Sequence, residues 1–517
     1  MKKIIMDVFY ILFCAIVLFM TVAGIYGNPS AESINQDLWK KGPFEFAQRA
    51  RFALTYSFVE EKSLALSASM AKFALPDIGY KNGKYVSLFA PGTSFVTAPG
   101  YILGNIFGIS QFGTYLVIAV FALLNTVLVR LISQKLGASK MAASVASFIF
   151  LFATPAFSYA VNLYQHHVSA FLLLSCVYLL VTSQSIPKMI LVWFLYGVAV
   201  LVDYPNGVLM LPVVIYALLK ILKIKAEENN VQARLNLRKM FTFLGLVPPI
   251  LFLFWFNKSL FNTPYQLTGT VQDVVDIRPD GSPLLYTQTK NFVEQLKESQ
   301  LAINKSALGF FNTRNLINGL YTHLVSPDRG IIYYTPVILF GLLGFSKLRR
   351  RGSGEFSLLT SIIGVNLILY SMWGDPWGGW SFGSRYLIPT YALMTIFIAV
   401  ALADIKKNTL LLFLLVVITG YCVSVNSLGA VTASGNPPKV EAESLEAKSG
   451  QKEKYTFERN WDTLFIRGSE SFLYNGYAAK YVGPLAYYLI VTTTLVIVLS
   501  SSLLSLAFFE KNEDSIK

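Results

Sequence analysis

The chain has 517 residues, 54% of them hydrophobic and 14% charged, where a soluble protein carries roughly a quarter charged. Apolar runs long enough to span hydrocarbon recur from one end to the other, which excludes a soluble globular domain. The net charge of +14 comes from Lys and Arg in short stretches between those runs, where the positive-inside rule places them, and no compact basic domain is left to bind nucleic acid.

The first apolar run, residues 4–25, follows Lys2 and Lys3. It is longer than a signal-peptide core and lacks a small-residue cleavage site, so it predicts a retained first span with a cytoplasmic N-terminus. A polar stretch follows to about residue 88. Residues 90–107 are apolar but broken by Pro91, Gly92, Pro99 and Gly100, which suits a straight spanning helix badly. If this segment spanned, the basic loops 130–140 and 220–239 would lie outside. It is therefore predicted as a re-entrant or interfacial helix on the outer face.

Further spans are predicted near residues 113–132, 141–157, 168–181, 189–202, 208–222 and 240–256, then 330–345, 356–372, 386–402, 410–425 and 485–508. Long outer stretches separate them at 27–110, 257–329 and 426–484. The predicted fold is an all-α polytopic membrane bundle of about twelve helices, with juxtamembrane helices and loops on the outer face. Residues 1–425 form the transmembrane domain, 426–484 the third outer loop, and 485–517 the last span and a cytoplasmic tail. Both termini lie inside a cell (inner) membrane in this reading. It puts Lys347, Arg349–Arg351, Lys406 and Lys407 in the cytoplasm and strands no short basic loop outside. Residues 436–454 are the most loop-like stretch. Cys14, Cys176 and Cys422 all fall in apolar runs, as buried thiols do, so no disulfide and no metal cluster is expected.

Several segments carry chemistry in combination. Asn82–Pro99 reads NGKYVSLFAPGTSFVTAP, by itself a turn followed by a helix start. Upstream stands Arg51-Phe52-Ala53-Leu54-Thr55 with Val59-Glu60. Downstream are Leu201-Val202-Asp203-Tyr204-Pro205, Ser326-Pro327-Asp328-Arg329-Gly330 with Tyr334-Thr335-Pro336, and the run Trp377 to Pro389, WGGWSFGSRYLIP. In this order they resemble the bacterial members of the GT-C superfamily of membrane glycosyltransferases, which includes protein O-mannosyltransferases (glycosyltransferase family 39) and lipid A aminoarabinose transferases. Two positions depart from the pattern: Gln48 stands where the better-studied enzymes place an Asp, and Phe89 where they place a Lys.

The resemblance implies an inverting transfer, on the outer face, of a sugar from a polyprenyl phosphate to an envelope lipid, glycan or protein. Such a reaction needs a carboxylate to take the acceptor proton and fixed cations to meet the charge gathering on the leaving phosphate. No metal is required when a monophosphate leaves, and a divalent metal is not excluded. With Gln48 at the usual acid position, Asp77 is the first candidate base, because it lies just ahead of the NGKY segment, and Glu45 the second. Any single surface carboxylate is ordinarily just solvated.

Arg385 is the leading phosphate candidate, at the mouth of a span and preceded by Trp377, Trp380 and three glycines; the plain alternative is an interfacial aromatic belt with a snorkelling arginine. Lys84 and Arg51 support it. Of His166 and His167, one is expected to face the outer cavity and the other the neighbouring spans, since no spacing completes a metal site. Asp203 and Asp375, ionisable groups at the membrane boundary, are functional candidates by default. His323 has no assigned role.

Two other classes compete. A secondary transporter would show internal repeats and short loops, where this chain shows three long outer stretches. A catalytically inactive protein that binds lipid-linked glycan is compatible with Gln48 at the acid position.

Overall fold

The computed structural model describes residues 2–227, 230–285 and 309–514; the middle of the second outer loop, residues 286–308, and the last three residues of the tail lie outside the described residues. Six helices are long and apolar enough to cross a membrane: Ser110–Lys135, Leu237–Phe261, Gly354–Ser371, Arg385–Ile405, Thr409–Val431 and Pro484–Leu506. Shorter apolar helices cover Val8–Thr21, Lys140–Phe152, His166–Thr182, Ile186–Val202 and Leu211–Ile221. The chain is a multi-pass membrane protein. The expected span at 330–345 is in pieces: a turn of helix at Ile331–Tyr334, a 3-10 segment at Pro336–Phe340, then helix Gly341–Arg350. Pro336 has no N–H to continue the ladder and pushes Thr335 out of the helical region, and Thr335 takes φ −157°.

The bundle and the elements that carry the candidate site include α1 (Lys2–Thr21), α2 (Phe46–Val59), α3 (Gly92–Ile106), α4 (Ser110–Lys135), α5 (His166–Thr182), α6 (Ile186–Val202), α7 (Gly341–Arg350), α8 (Gly354–Ser371), α9 (Ile388–Ile405), α10 (Thr409–Val431), α11 (Lys439–Ser449) and α12 (Glu458–Ile466). Helix α9 is the centre of the bundle. The apolar window that contains it is 83% buried inside the protein, against 28–44% for the other five long helices, whose remaining apolar surface is left for lipid. The approach of α7 to α9 requires Gly344, where a Cβ would stand 1.8 Å from the Phe397 carbonyl oxygen.

Helix α3, the broken apolar segment, folds back against the start of α4, with Gly100 against Gly113. It turns Ile102, Leu103, Ile106 and, just beyond its end, Phe107 outward, an apolar face suited to the membrane boundary. The bundle is all-α, as expected, and three short antiparallel hairpins accompany it among the described residues: β1 (Ile78–Lys81) with β2 (Lys84–Ser87), β3 (Leu222–Glu227) with β4 (Asn230–Leu235), and β5 (Val274–Ile277) with β6 (Pro283–Leu285). The Asn82-Gly83 turn marks the first, because both residues take positive φ, as a tight hairpin demands. One expectation needs correction: the loop expected at 436–454 contains α11. Its sequence, KVEAESLEAKS, is made largely of helix formers. Pro438 precedes it, Gly450 closes it in the left-handed conformation, and Lys439 pairs with Glu443 one turn on.

The basic loops gather at one end of the bundle. The Arg351 guanidinium donates to the Leu136 carbonyl at 3.0 Å, Lys347 pairs with Asp404 at 2.7 Å, and Lys239 donates to the Lys220 carbonyl at 2.9 Å. At the other end lie the starts of α5 and α9 and the end of α10, and there the outer stretches enclose a cleft.

Candidate active site

The cleft has a volume of about 1180 Å³ and draws its lining from four separate parts of the chain, one of them Tyr164 just ahead of α5. The first outer stretch supplies Glu45, Asp77 and Phe89; the glycine-rich run before α9 supplies Asp375, Trp380 and Arg385; the third outer stretch supplies Arg459 and Glu470.

Arg385 opens the 3-10 turn at the head of α9. Its guanidinium carbon lies 5.3 Å from the Tyr164 ring centroid and 5.5 Å from that of Tyr386, and its buried Nε has no hydrogen-bond partner. No carboxylate among the described residues forms an ion pair with it. The preceding loop comes this close because residue 378 is glycine: it takes φ +74°, and a Cβ there would lie 3.2 Å from the Arg385 Nε. A buried donor left without an acceptor costs about 1–3 kcal/mol, and the Arg385 Nε is such a donor on the cleft wall.

Glu45 stands at the N-cap of α2. The Tyr164 hydroxyl donates to its Oε2 at 2.7 Å and the Ser434 hydroxyl at 2.5 Å, while Oε1 is buried without a partner. Burial pushes this carboxyl above its usual range; the two hydroxyls and the nearby Arg385 pull it part of the way back. Gln48, one turn later, is fully buried and points the other way, accepting a hydrogen bond from the Tyr115 hydroxyl on α4. Asp77 also lines the cleft. Its backbone is fixed by the Leu88 N–H on its carbonyl at 3.1 Å, which ties it to the hairpin β1–β2.

Behind this wall runs a buried polar chain. Arg51 donates to Gln165 Oε1 at 2.6 Å, and Gln165 Nε2 donates to Asp203 Oδ2 at 3.1 Å. The Phe89 ring covers the Arg51 guanidinium, 3.9 Å from centroid to carbon. Burial, helped by the like charge of Arg385, pushes Arg51 down to about 10, and burial pushes the Asp203 carboxyl up. Neither residue lines the cleft; both support residues that do.

The two adjacent histidines part company. His167 contacts Asn125 on α4 and the Ala156 carbonyl, inside the bundle. His166 stacks on Tyr164, with 5.9 Å between ring centroids, and its buried Nε2 is unpartnered. Lys84 sits at the far end of its hairpin and donates to the Ser259 carbonyl at 2.8 Å, outside the cleft lining. Asp375 Oδ1 accepts from the Gly378 N–H at 3.1 Å, and burial raises its carboxyl. The third histidine, His323, binds the Ser384 hydroxyl at 2.7 Å, next in sequence to Arg385, and burial lowers it to about 4. Among the described residues no group of three or more His, Cys, Asp or Glu side chains gathers as a metal site.

No family model matches the sequence, and no curated protein matches it. Among solved structures the chain is similar to ArnT from Cupriavidus metallidurans in the apo state, with 14% identity, 97% of this chain and 78% of that one covered, and a TM-score of 0.46. It is similar to the same protein bound to undecaprenyl phosphate, with 12% identity, coverage of 97% and 77%, and a TM-score of 0.46. It is also similar to the archaeal oligosaccharyltransferase AglB from Archaeoglobus fulgidus in complex with an inhibitory peptide and a dolichol-phosphate, with 12% identity, coverage of 96% and 56%, and a TM-score of 0.45.

Three further residues shape the site: Arg329 stands in a motif noted in the sequence but without an assigned role, and Glu470 and Arg459 gave no signal there. Arg329 is fully buried and holds the floor together: it pairs with Asp328 at 2.5 Å and donates to the carbonyls of Trp377 (3.0 Å), Gly379 (3.1 Å) and Asn436 (3.0 Å). Glu470 reaches the cleft from a segment pinned between the end of α1 and the end of α10, through Gly24 and Val431. Its carboxyl is pushed up to about 8 by burial and by Glu45. Arg459 lies 5.1 Å from the Trp380 ring centroid and donates to the Gly435 carbonyl.

Proposed function

We propose that this protein is an inverting glycosyltransferase that moves a sugar from a polyprenyl phosphate to an acceptor hydroxyl in the outer-face cleft. The observation that carries the reading is Arg385, a buried guanidinium without a carboxylate partner, in a cleft that also presents Glu45 and Asp77.

Glu45 takes the proton of the acceptor hydroxyl. The hydroxyl oxygen bonds to the anomeric carbon, and the bond from that carbon to the phosphate oxygen breaks with both electrons staying on the phosphate. Arg385 receives the added negative charge. Glu45 is preferred to Asp77 as base because its Oε2 is fixed by two hydroxyls and its Oε1 is unengaged, and because its raised carboxyl is a better proton acceptor at neutral pH. Asp77 then faces the donor sugar. Arg51, Gln165 and Asp203 hold the wall behind them, and His166 and Tyr164 complete the surround of Arg385. No metal has a step in this scheme. The cleft lies in this reading on the periplasmic or extracellular side, opposite the basic loops.

The test is transfer of radiolabelled sugar from a panel of polyprenyl-phosphate sugars to envelope extract, with purified protein in lipid. Transfer that Glu45→Gln abolishes supports the reading with its base; transfer lost only in Asp77→Asn exchanges the two roles. Donor binding without transfer from any member of the panel favours the inactive glycan-binding alternative.

A further inference from the structure

The outer wall of the cleft has a composition that the transfer scheme does not use. The Trp380 ring lines the cleft, and its orientation is fixed twice. The indole N–H is bonded to the Glu441 carboxylate on α11, and the Arg459 guanidinium lies 5.1 Å from the ring centroid. Arg459 is itself held by the Gly435 carbonyl at 3.0 Å. A Cβ on Gly435 would stand 3.2 Å from Glu45 Oε1. The immobilised indole and the oxygen of Glu45 that has no partner therefore belong to one continuous wall, bridged by Arg459 and residue 435.

Around the indole the charges alternate in sign instead of forming one field. Lys452, Glu453, Lys454 and Asp462 line the same wall, with Lys454 and Asp462 paired at 2.8 Å. Lys452, Arg459 and Arg467 would attract a single anionic group, but Glu441, Glu453 and Asp462 interrupt any continuous track for a polyanion. An acyl chain would meet a polar surface. What fits is a neutral ligand with a flat C–H face and hydroxyls around its edge. The C–H groups of a pyranose match the negative face of an aromatic ring, and neighbouring carboxylates and ammonium groups accept from and donate to its hydroxyls. A ring already fixed by an arginine and a carboxylate loses little freedom when such a ligand arrives.

We infer that Trp380 is the stacking platform for a saccharide acceptor, placed so that an acceptor hydroxyl reaches Glu45. The inference rests on the glycosyltransferase reading and narrows its acceptor from lipid, glycan or protein to glycan. Glu441, Lys452 and Asp462 bind the hydroxyls at the edge of the acceptor ring, and α11, which buries Ala442 as its one fully enclosed side chain, serves to carry Glu441 to the indole.

The test is binding without donor, so that it stands apart from the transfer reaction. Saturation-transfer NMR on the full-length protein in nanodiscs, with neutral trisaccharides of glucose, galactose, mannose and N-acetylglucosamine, should give ring C–H signals from at least one. Trp380→Ala should weaken that binding by about tenfold or more, and Trp380→Phe should restore most of it. Binding of a short-chain polyprenyl phosphate should be unchanged in both variants, which also shows that they are folded. Binding of a Ser/Thr-containing peptide or of phosphatidylglycerol vesicles but of no trisaccharide overturns the inference, as does a trisaccharide signal indifferent to Trp380→Ala or a panel with no binder. Loss of polyprenyl-phosphate binding in the wild-type protein sinks the transferase reading instead, whatever the saccharides do.

Discussion

Two buried arginines show how different one residue type can be in its surroundings. Arg329 spends its donors on Asp328 and three backbone carbonyls, while Arg385 keeps its Nε unpartnered between two tyrosine rings. Arg329→Met therefore strands a carboxylate and three carbonyls and should destabilise the fold by about 3–5 kcal/mol, seen as a sharply lower unfolding temperature. Arg385→Met removes a charge that forms no ion pair among the described residues; thermal stability should change little, while transfer falls by about 10²–10³. A large stability loss at Arg385 would make it a structural residue and remove the basis of the phosphate site. Glu45 offers a test through pH. It works ionised, and burial holds its carboxyl above the usual range, so transfer should rise with pH through a value above about 4.3, the ordinary glutamate value. The Ser434 hydroxyl favours the ionised form. Ser434→Ala should therefore move that acid limb to higher pH, and a limb that stays in place assigns the base elsewhere. Sequence reasoning proposed Arg385, Asp77 and Glu45 by their place near motifs, and all three line the cleft; it could not tell His166 from His167 or put Lys84 outside the cleft, because those outcomes depend on which face of a helix or hairpin turns inward.

The elements were more legible than the side chains, and the misses have physical causes. Long apolar runs predicted the spans because hydrocarbon leaves a backbone little choice but to be helical. The break at Pro336 lay inside an apolar run, where hydropathy hides it. Helix α11 was mistaken for a loop because its residues are polar all round, and polarity without periodicity reads as loop; its identity comes from propensity and from contacts to Trp380 and Asp328 that lie far away in sequence. Packing between helices is where glycine decides. A Cβ at Gly344 would meet the Phe397 carbonyl at 1.8 Å, whereas one at Gly364 meets nothing within 4 Å. Gly344→Ala should force α7 away from α9 and cost stability. Gly364→Ala in the middle of α8 should instead stabilise by up to about 1 kcal/mol, the helix-propensity difference. Thermal unfolding of the two variants in one detergent checks the pair; equal effects would mean that α7 does not rest on α9 at that point.

At the scale of the whole molecule, one asymmetry organises the rest. Arg351 on Leu136, Lys347 on Asp404, and Gly354 packed against Tyr216 ahead of the 220–239 loop bring the basic loops to a single end of the bundle, and the cleft with its carboxylates and tyrosines occupies the other. By the positive-inside rule the basic end is expected in the cytoplasm, so the proposed transferase is expected to open its cleft on the outer face. That orientation can be tested independently of activity. All three native cysteines are buried, which leaves a quiet background for single cysteines placed at Lys448, near the end of α11, and at Arg350, at the end of α7. In intact cells, or in spheroplasts where an outer membrane blocks access, a membrane-impermeant maleimide should label residue 448 and leave residue 350 untouched until the membrane is opened. The reverse pattern would put the cleft in the cytoplasm, where an enzyme could draw on soluble nucleotide sugars and a polyprenyl-phosphate donor would lose its rationale. Labelling of both in sealed cells would break the charge argument itself, since the two ends of the bundle could not then lie on opposite sides of one membrane.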